Sequence, residues 1–94
     1  MMPLSIRIVK GHSMQPHIKQ GERVVVFQWA YSVSQPRIGD VIVFRGYDKK
    51  EYVKRITAAV AKGEFVVDGD NRDDSLKTPQ ITKEQIIGKV VACY

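Results

Sequence analysis

Apolar residues come in short runs rich in valine and isoleucine, each closed by glycine, proline or aspartate, with no sustained helical period. The runs predict strands at Leu4–Val9, Arg23–Trp29, Asp40–Arg45, Glu51–Ala58, Phe65–Asp68 and Gly88–Cys93. Turn-forming residues fall between them, at Gln20-Gly21, Gln35-Pro36, Ile38-Gly39, Arg45-Gly46, Lys62-Gly63 and Gly69-Asp70-Asn71. Only Thr82-Lys83-Glu84-Gln85 has capping-box spacing, which predicts one short helical turn. Ala58–Ala61 is apolar but too short to predict a helix. Short strands with close-set turns imply a mostly β fold, a single small domain over residues 1–94 built as a bent antiparallel sheet or partly open β-barrel.

Length and composition add bounds. A chain of 94 residues buries a modest core, and 44% apolar with 27% charged residues is ordinary for a globular domain. No apolar run approaches the roughly 20 residues that span a bilayer as a helix. The stretch from Met1 to Ile8 lacks the long apolar core of a secretory leader. The expectation is a soluble chain or one peripheral to the membrane. The net charge of +5 admits anionic partners, but the basic residues are spread along the chain. Their one local cluster is Lys49-Lys50 with Lys54-Arg55, so a solvated surface is expected and nucleic acid is not. The single cysteine, Cys93, makes no intrachain disulfide and no zinc site, and reads as a small buried residue near a strand end. Phe27, Trp29 and Tyr31 would share one face of a strand, suited to core packing or to a membrane interface.

Three segments carry candidate chemistry. In Gly11-His12-Ser13-Met14-Gln15-Pro16, Ser13 lies in a loop or at a strand end. Its hydroxyl needs a base within hydrogen-bond reach to act as a nucleophile. Gly11 permits a turn that other residues resist, Pro16 fixes the exit, and Met14 can anchor the loop to the core. In Glu51-Tyr52-Val53-Lys54-Arg55-Ile56-Thr57, strand alternation puts Tyr52, Lys54 and Ile56 on one face. That face is apolar apart from the amine, and burial disfavours a lysine's charged form, as a lysine base requires. In Val67-Asp68-Gly69-Asp70-Asn71-Arg72-Asp73-Asp74-Ser75 the carboxylates raise calcium. Counted from Asp68, however, the glycine and terminal glutamate of an EF-hand loop fall on Asp73 and Pro79. No metal or other cofactor is called for, and Asx-turn chemistry accounts for the segment. His12 and His17 offer a weaker base: neighbours on an extended chain point apart, and His17 lies beyond Pro16.

Taken in order, Ser13-Met14-Gln15-Pro16, Gly39–Phe44, Tyr52-Val53-Lys54-Arg55-Ile56 and Gly69–Ser75 resemble the type I signal peptidase family over nearly the whole chain. The resemblance implies a mostly β catalytic fold and a Ser-Lys dyad, with Ser13 as nucleophile and Lys54 as general base. Ser75 matches the serine that orients the lysine. Gly69, Asp70 and Asn71 match the turn that shapes the site, Arg55 its structural neighbour, and the Ser13 N–H an oxyanion donor. The implied substrate is an extended precursor or leader peptide, added as a strand beside Met14 and Tyr52. Small relatives without an anchor that process the nickel-type superoxide dismutase precursor are also similar, so a soluble maturation protease is one alternative. A non-catalytic basic β-domain that binds peptide or nucleic acid is another. Two places depart from the pattern: Gly11 stands where many bacterial members have a second oxyanion hydroxyl, and Ser75-Leu76-Lys77-Thr78-Pro79 stands where the family often continues after its last serine with Asp-Ser-Arg.

Overall fold

The computed structural model describes residues 3–11, 13–70 and 80–94. In chain order the elements are β1 (Leu4–Ile8), β2 (Arg23–Phe27), a single helical turn α1 (Ala30–Val33), β3 (Val41–Arg45), β4 (Glu51–Ala61), β5 (Glu64–Asp68), β6 (Gln80–Thr82), a 3-10 turn (Lys83–Gln85) and β7 (Ile86–Cys93). The strands form one seven-stranded sheet in the order β1-β2-β7-β3-β4-β5-β6. Every pairing is antiparallel. The expected mostly β bent sheet is therefore what forms. No helix among the described residues is long and apolar enough to cross a membrane.

The sheet is far from flat. Three strands separate β1 from β4, so a flat ladder would hold them about 19 Å apart at the usual strand spacing. Instead Arg7 Nε of β1 lies 2.8 Å from Glu51 Oε1 of β4. The sheet must curl until these two strands face each other. Inside the curl lies a first core of Val9, Met14, Ile18, Val24, Val26, Val41 and Val43. A second core, Ile42, Phe44, Ile56, Phe65, Val67 and Ile81, covers the opposite face of β3, β4 and β5. Strand β3 divides the two, which explains its continuous apolar run: Val41 and Val43 point one way, Ile42 and Phe44 the other, and all four are buried.

Several sequence expectations need correction. β2 stops at Phe27, Trp29 lies in a turn and Tyr31 belongs to α1, so the three aromatics share no strand face. Tyr31 instead donates a 2.6 Å hydrogen bond to Asp40 Oδ2. That bond, together with burial, pushes the phenol far above its ordinary range, with burial the larger cause. β4 continues through Ala61, and Gln80–Thr82 adds a strand that is too short to show a period. Cys93 is at the end of β7 as expected, but it is exposed. The capping box forms as read, with the Thr82 N–H donating to Gln85 Oε1 at 2.9 Å.

Because Ile42 is fully buried in the strand that separates the two cores, Ile42→Ala should destabilise the fold by about 3 kcal/mol. Ile38→Ala, at a position 65% exposed, should change stability by less than about 0.5 kcal/mol. Urea unfolding of the two variants checks the contrast.

Candidate functional site

Ser13 sits in the turn-rich segment after β1. Gly11 there has φ of 85°, a conformation that side chains other than glycine resist. Met14 and Ile18, each 1% exposed, sink into the first core and hold the segment down. The Ile18 N–H donates to Met14 O at 2.8 Å and the Gly21 N–H to Val9 O at 2.9 Å, closing the loop on itself and on the end of β1. Met14 is thus the anchor that the sequence implied, and Ser13 is left half-buried beside it.

Lys54 lies on β4, paired with Ile42 of β3. Tyr52 packs against the second core and Ile56 is buried in it. Lys54 therefore projects from the apolar face read from the alternation, and it is half-buried rather than enclosed. Among the described residues it has no ion-pair partner.

The turn after β5 closes on the Ser13 segment. A Cβ at Gly69 would overlap the Ser13 carbonyl oxygen and lie 2.9 Å from Ser13 Cβ. Only glycine allows this approach. The β4–β5 ladder pairs Arg55 with Asp68. That pair is the last of the ladder, so Gly69 follows directly on the end of β5. Ser13 thus fills the space that a side chain at residue 69 would take.

Next to this contact, Arg55 makes a two-pronged ion pair with Asp70, Nε to Oδ1 and Nη2 to Oδ2, both at 2.9 Å. Its Nη1 donates to Gly39 O at 2.7 Å. One guanidinium thereby ties β4, the turn after β5 and the turn before β3. The Arg55 hydrogen bonds hold the Asp70 carboxyl below the usual carboxylate range, with a smaller contribution from the charge of His17. Ser75 and Asn71 lie outside the described residues, as does His12.

Two cavities flank the site. A cleft of about 460 Å³ runs between β1 and β4, lined by Arg7, Val9, Lys10 and Ser13 on one side and Glu51, Tyr52 and Val53 on the other. A neighbouring cavity of about 350 Å³, with Phe44, Tyr52, Ile81 and Lys54 in its wall, opens on the second core's face. Tyr52 is common to both. Strand β3 takes one edge of Glu51–Lys54, and β5 reaches only from Arg55 onward along the other. β1 pairs on one side only, with β2. Among the described residues, then, two strand edges without a strand partner border the cleft, with Ser13 at one end.

A family model described as signal peptidase, peptidase S26, matches residues 1–59. The chain belongs to the signal peptidase family. Curated relatives agree. Signal peptidase I of Bacillus caldolyticus is 37% identical over 49 residues, covering 52% of this chain and 27% of that protein. Signal peptidase IB of Staphylococcus aureus (strain Mu50 / ATCC 700699) is 42% identical over 48 residues, covering 51% of this chain and 25% of that protein. The chain spans about a quarter of the length of these signal peptidases. The part matched to the family includes Ser13 and Lys54 and stops short of Gly69–Ser75.

The sequence reading missed Arg7 and Glu51, which cross the cleft, and the steric reason for Gly69. Alternation could have paired Glu51 with Val53, but only the curl brings Arg7 to them. Because Gly69 has no room for a Cβ, Gly69→Ala should cost about 2 kcal/mol of stability and displace Ser13, as a crystal structure or thermal melt of the variant would show. Asp70→Asn should cost about 1 kcal/mol at neutral pH, allowing for solvent screening of a partly exposed pair. The Asp70 carboxyl is held low in the folded chain, so its contribution is complete above the unfolded range near pH 4 and fades as pH falls through the folded value. The stability gap between the parent and Asp70→Asn should therefore close on acidification, as measured by urea unfolding from pH 7 to pH 3.

Proposed function

We propose that this protein is a serine endopeptidase that cleaves a leader or signal segment from a precursor, with Ser13 as nucleophile and Lys54 as base. The observation that supports it best is the close approach at Gly69, which packs Ser13 against the residue just beyond the last β4–β5 pair, Arg55 with Asp68, next in sequence to Lys54. In this reading a peptide enters the cleft extended and hydrogen-bonds to the open edges of β1 and β4, completing the curled sheet. Lys54, as a neutral amine, takes the proton from Ser13 Oγ as the oxygen attacks the scissile carbonyl carbon. The Ser13 N–H donates to the developing oxyanion. Protonated Lys54 then gives its proton to the leaving amine, and an ester links Ser13 to the acyl fragment. Lys54 next deprotonates a water that attacks this ester, which releases the new carboxyl terminus and restores the serine. Ser75 is assigned the role of orienting the lysine amine, and Asn71 that of shaping the turn. Arg55 and Asp70 act through position, by fixing Gly69 against the nucleophile loop.

A membrane role fits the outer face of β1. Leu4, Ile6 and Ile8 are 47%, 54% and 60% exposed, while the inward positions are the polar Ser5 and Arg7. Their ladder neighbours on that face include Phe27, Val25 and Arg23. An exposed apolar strand face with a basic residue at its margin, on a chain of net charge +5, suits the headgroup region of an anionic bilayer.

Ser13→Ala and Lys54→Ala should each lower kcat/KM on a leader-peptide substrate by about a thousandfold or more while the melting temperature stays near that of the parent. Equal turnover by all three proteins would overturn the peptidase assignment. In sedimentation with vesicles, the parent should bind phosphatidylserine-containing bilayers more than neutral ones, and Ile6→Asp with Ile8→Asp should abolish that binding. Retention by the double variant would remove this face from the interface.

A further inference from the structure

The cleft is not uniform along its length. Arg7 pairs with Val24, which is fully buried, so Arg7 points to the inner side of β1. There its guanidinium meets Glu51 across the cleft at 2.8 Å, with each side chain about one-third exposed (32% and 33%). Arg45 Nη2 lies 3.7 Å from the other carboxylate oxygen of Glu51. Two residues nearer Ser13 along each strand, Val9 and Val53 make the lining apolar. Lys10 and Lys50 also line the cleft, and Glu51 is the one acidic group among its lining residues. The far end thus has an excess of positive charge over a single carboxylate that two arginines already share.

We propose that Arg7 and Glu51 form a specificity element that selects a substrate carrying a carboxylate side chain two residues from the one seated between Val9 and Val53. This rests on the peptidase reading and adds to it the chemistry of one substrate position. Side chains two apart on an extended peptide point the same way. A peptide with an aliphatic or small side chain over Val9 and Val53 therefore presents its next same-sided residue to Arg7 and Glu51. A carboxylate there accepts from Arg7 and relieves the local excess of cations. A lysine there must compete with Arg7 and Arg45 for Glu51. A neutral amide falls between the two.

The test is a series of cleavable peptides in which Asp, Asn or Lys is placed in turn at each position on both sides of the scissile bond. At one position the parent should favour Asp over Lys by about tenfold in kcat/KM, and added salt should shrink that ratio. Arg7→Gln should bring the ratio close to one. Glu51→Gln, which releases Arg7 from its partner, should raise it above the parent's. Each ratio is taken within one protein, so a smaller folded fraction in a variant cancels. Equal cleavage of Asp and Lys peptides at every position, or a shift of the ratio in the same direction in both variants, would overturn the specificity element while leaving the peptidase reading intact. Cleavage of no peptide by the parent would overturn the peptidase reading and this inference with it.

Discussion

The structure depends on the burial of β3 on both faces. Val41 and Val43 fill the first core while Ile42 and Phe44 fill the second, so the strand can neither slip by one residue nor move to a sheet edge without exposing one set. Its neighbour β4 inherits the division. Val53, opposite Val43, packs toward the first core, and Lys54, opposite Ile42, projects with the second. The Ser13 loop belongs to the first core through Met14 and Ile18. The loop that carries Ser13 and the side chain of Lys54 thus lie with different cores of one sheet. Beyond Asp68 the β4–β5 ladder stops, and Gly69 leaves room for the Ser13 backbone.

This arrangement makes the site a consequence of long-range order. The polar ties around it run in series. Tyr31 and the Arg37 N–H bind the Asp40 carboxylate, Arg55 grips Gly39 next to it, and the same guanidinium holds Asp70 beside Gly69. Each link is partly solvated and contributes modestly alone. Together they set the height of the turn that faces Ser13. Arginine is suited to the central position because its planar fork reaches two carboxylate oxygens and a carbonyl at once, which a lysine ammonium cannot do with fixed geometry.

What the sequence revealed, and what it concealed, follows from the range of the forces involved. Local chemistry was legible: the valine-rich runs became strands, Thr82 and Gln85 formed their capping box, and Met14 anchored its loop. The apolar face of Tyr52, Lys54 and Ile56 was readable from period two because β4 is regular there. Tertiary effects were not. Nothing local ends β2 at Phe27, since the aromatic series Phe27, Trp29 and Tyr31 continues the strand pattern. The hydrogen bond from Tyr31 to Asp40 and the packing of Tyr31 against the second core accompany a helical turn there instead. Cys93 sits on a part of β7 whose last residues lie at the surface, so its exposure depends on where the cores end. β1 is the clearest case. Its alternation reads equally well with Leu4, Ile6 and Ile8 inward, yet the structure turns Ser5 and Arg7 in.

That inversion connects stability to the site. Open strand edges invite pairing with other chains, and proteins blunt them with charge. Here the edges that border the cleft carry Arg7 and Lys10 on one side and Lys50 and Glu51 on the other. Had Ile6 or Ile8 faced inward in place of Arg7, the curl could have closed on an apolar seam and the cleft would have been filled by core. An ionic pair does not close it in that way. Two partly hydrated charges hold the strands in register at little net energy, and they can be re-solvated or re-paired when a peptide backbone comes between the edges. The polar inner face of β1 thus keeps the curled sheet incomplete, and in the proposed reading an extended peptide fills it beside Ser13.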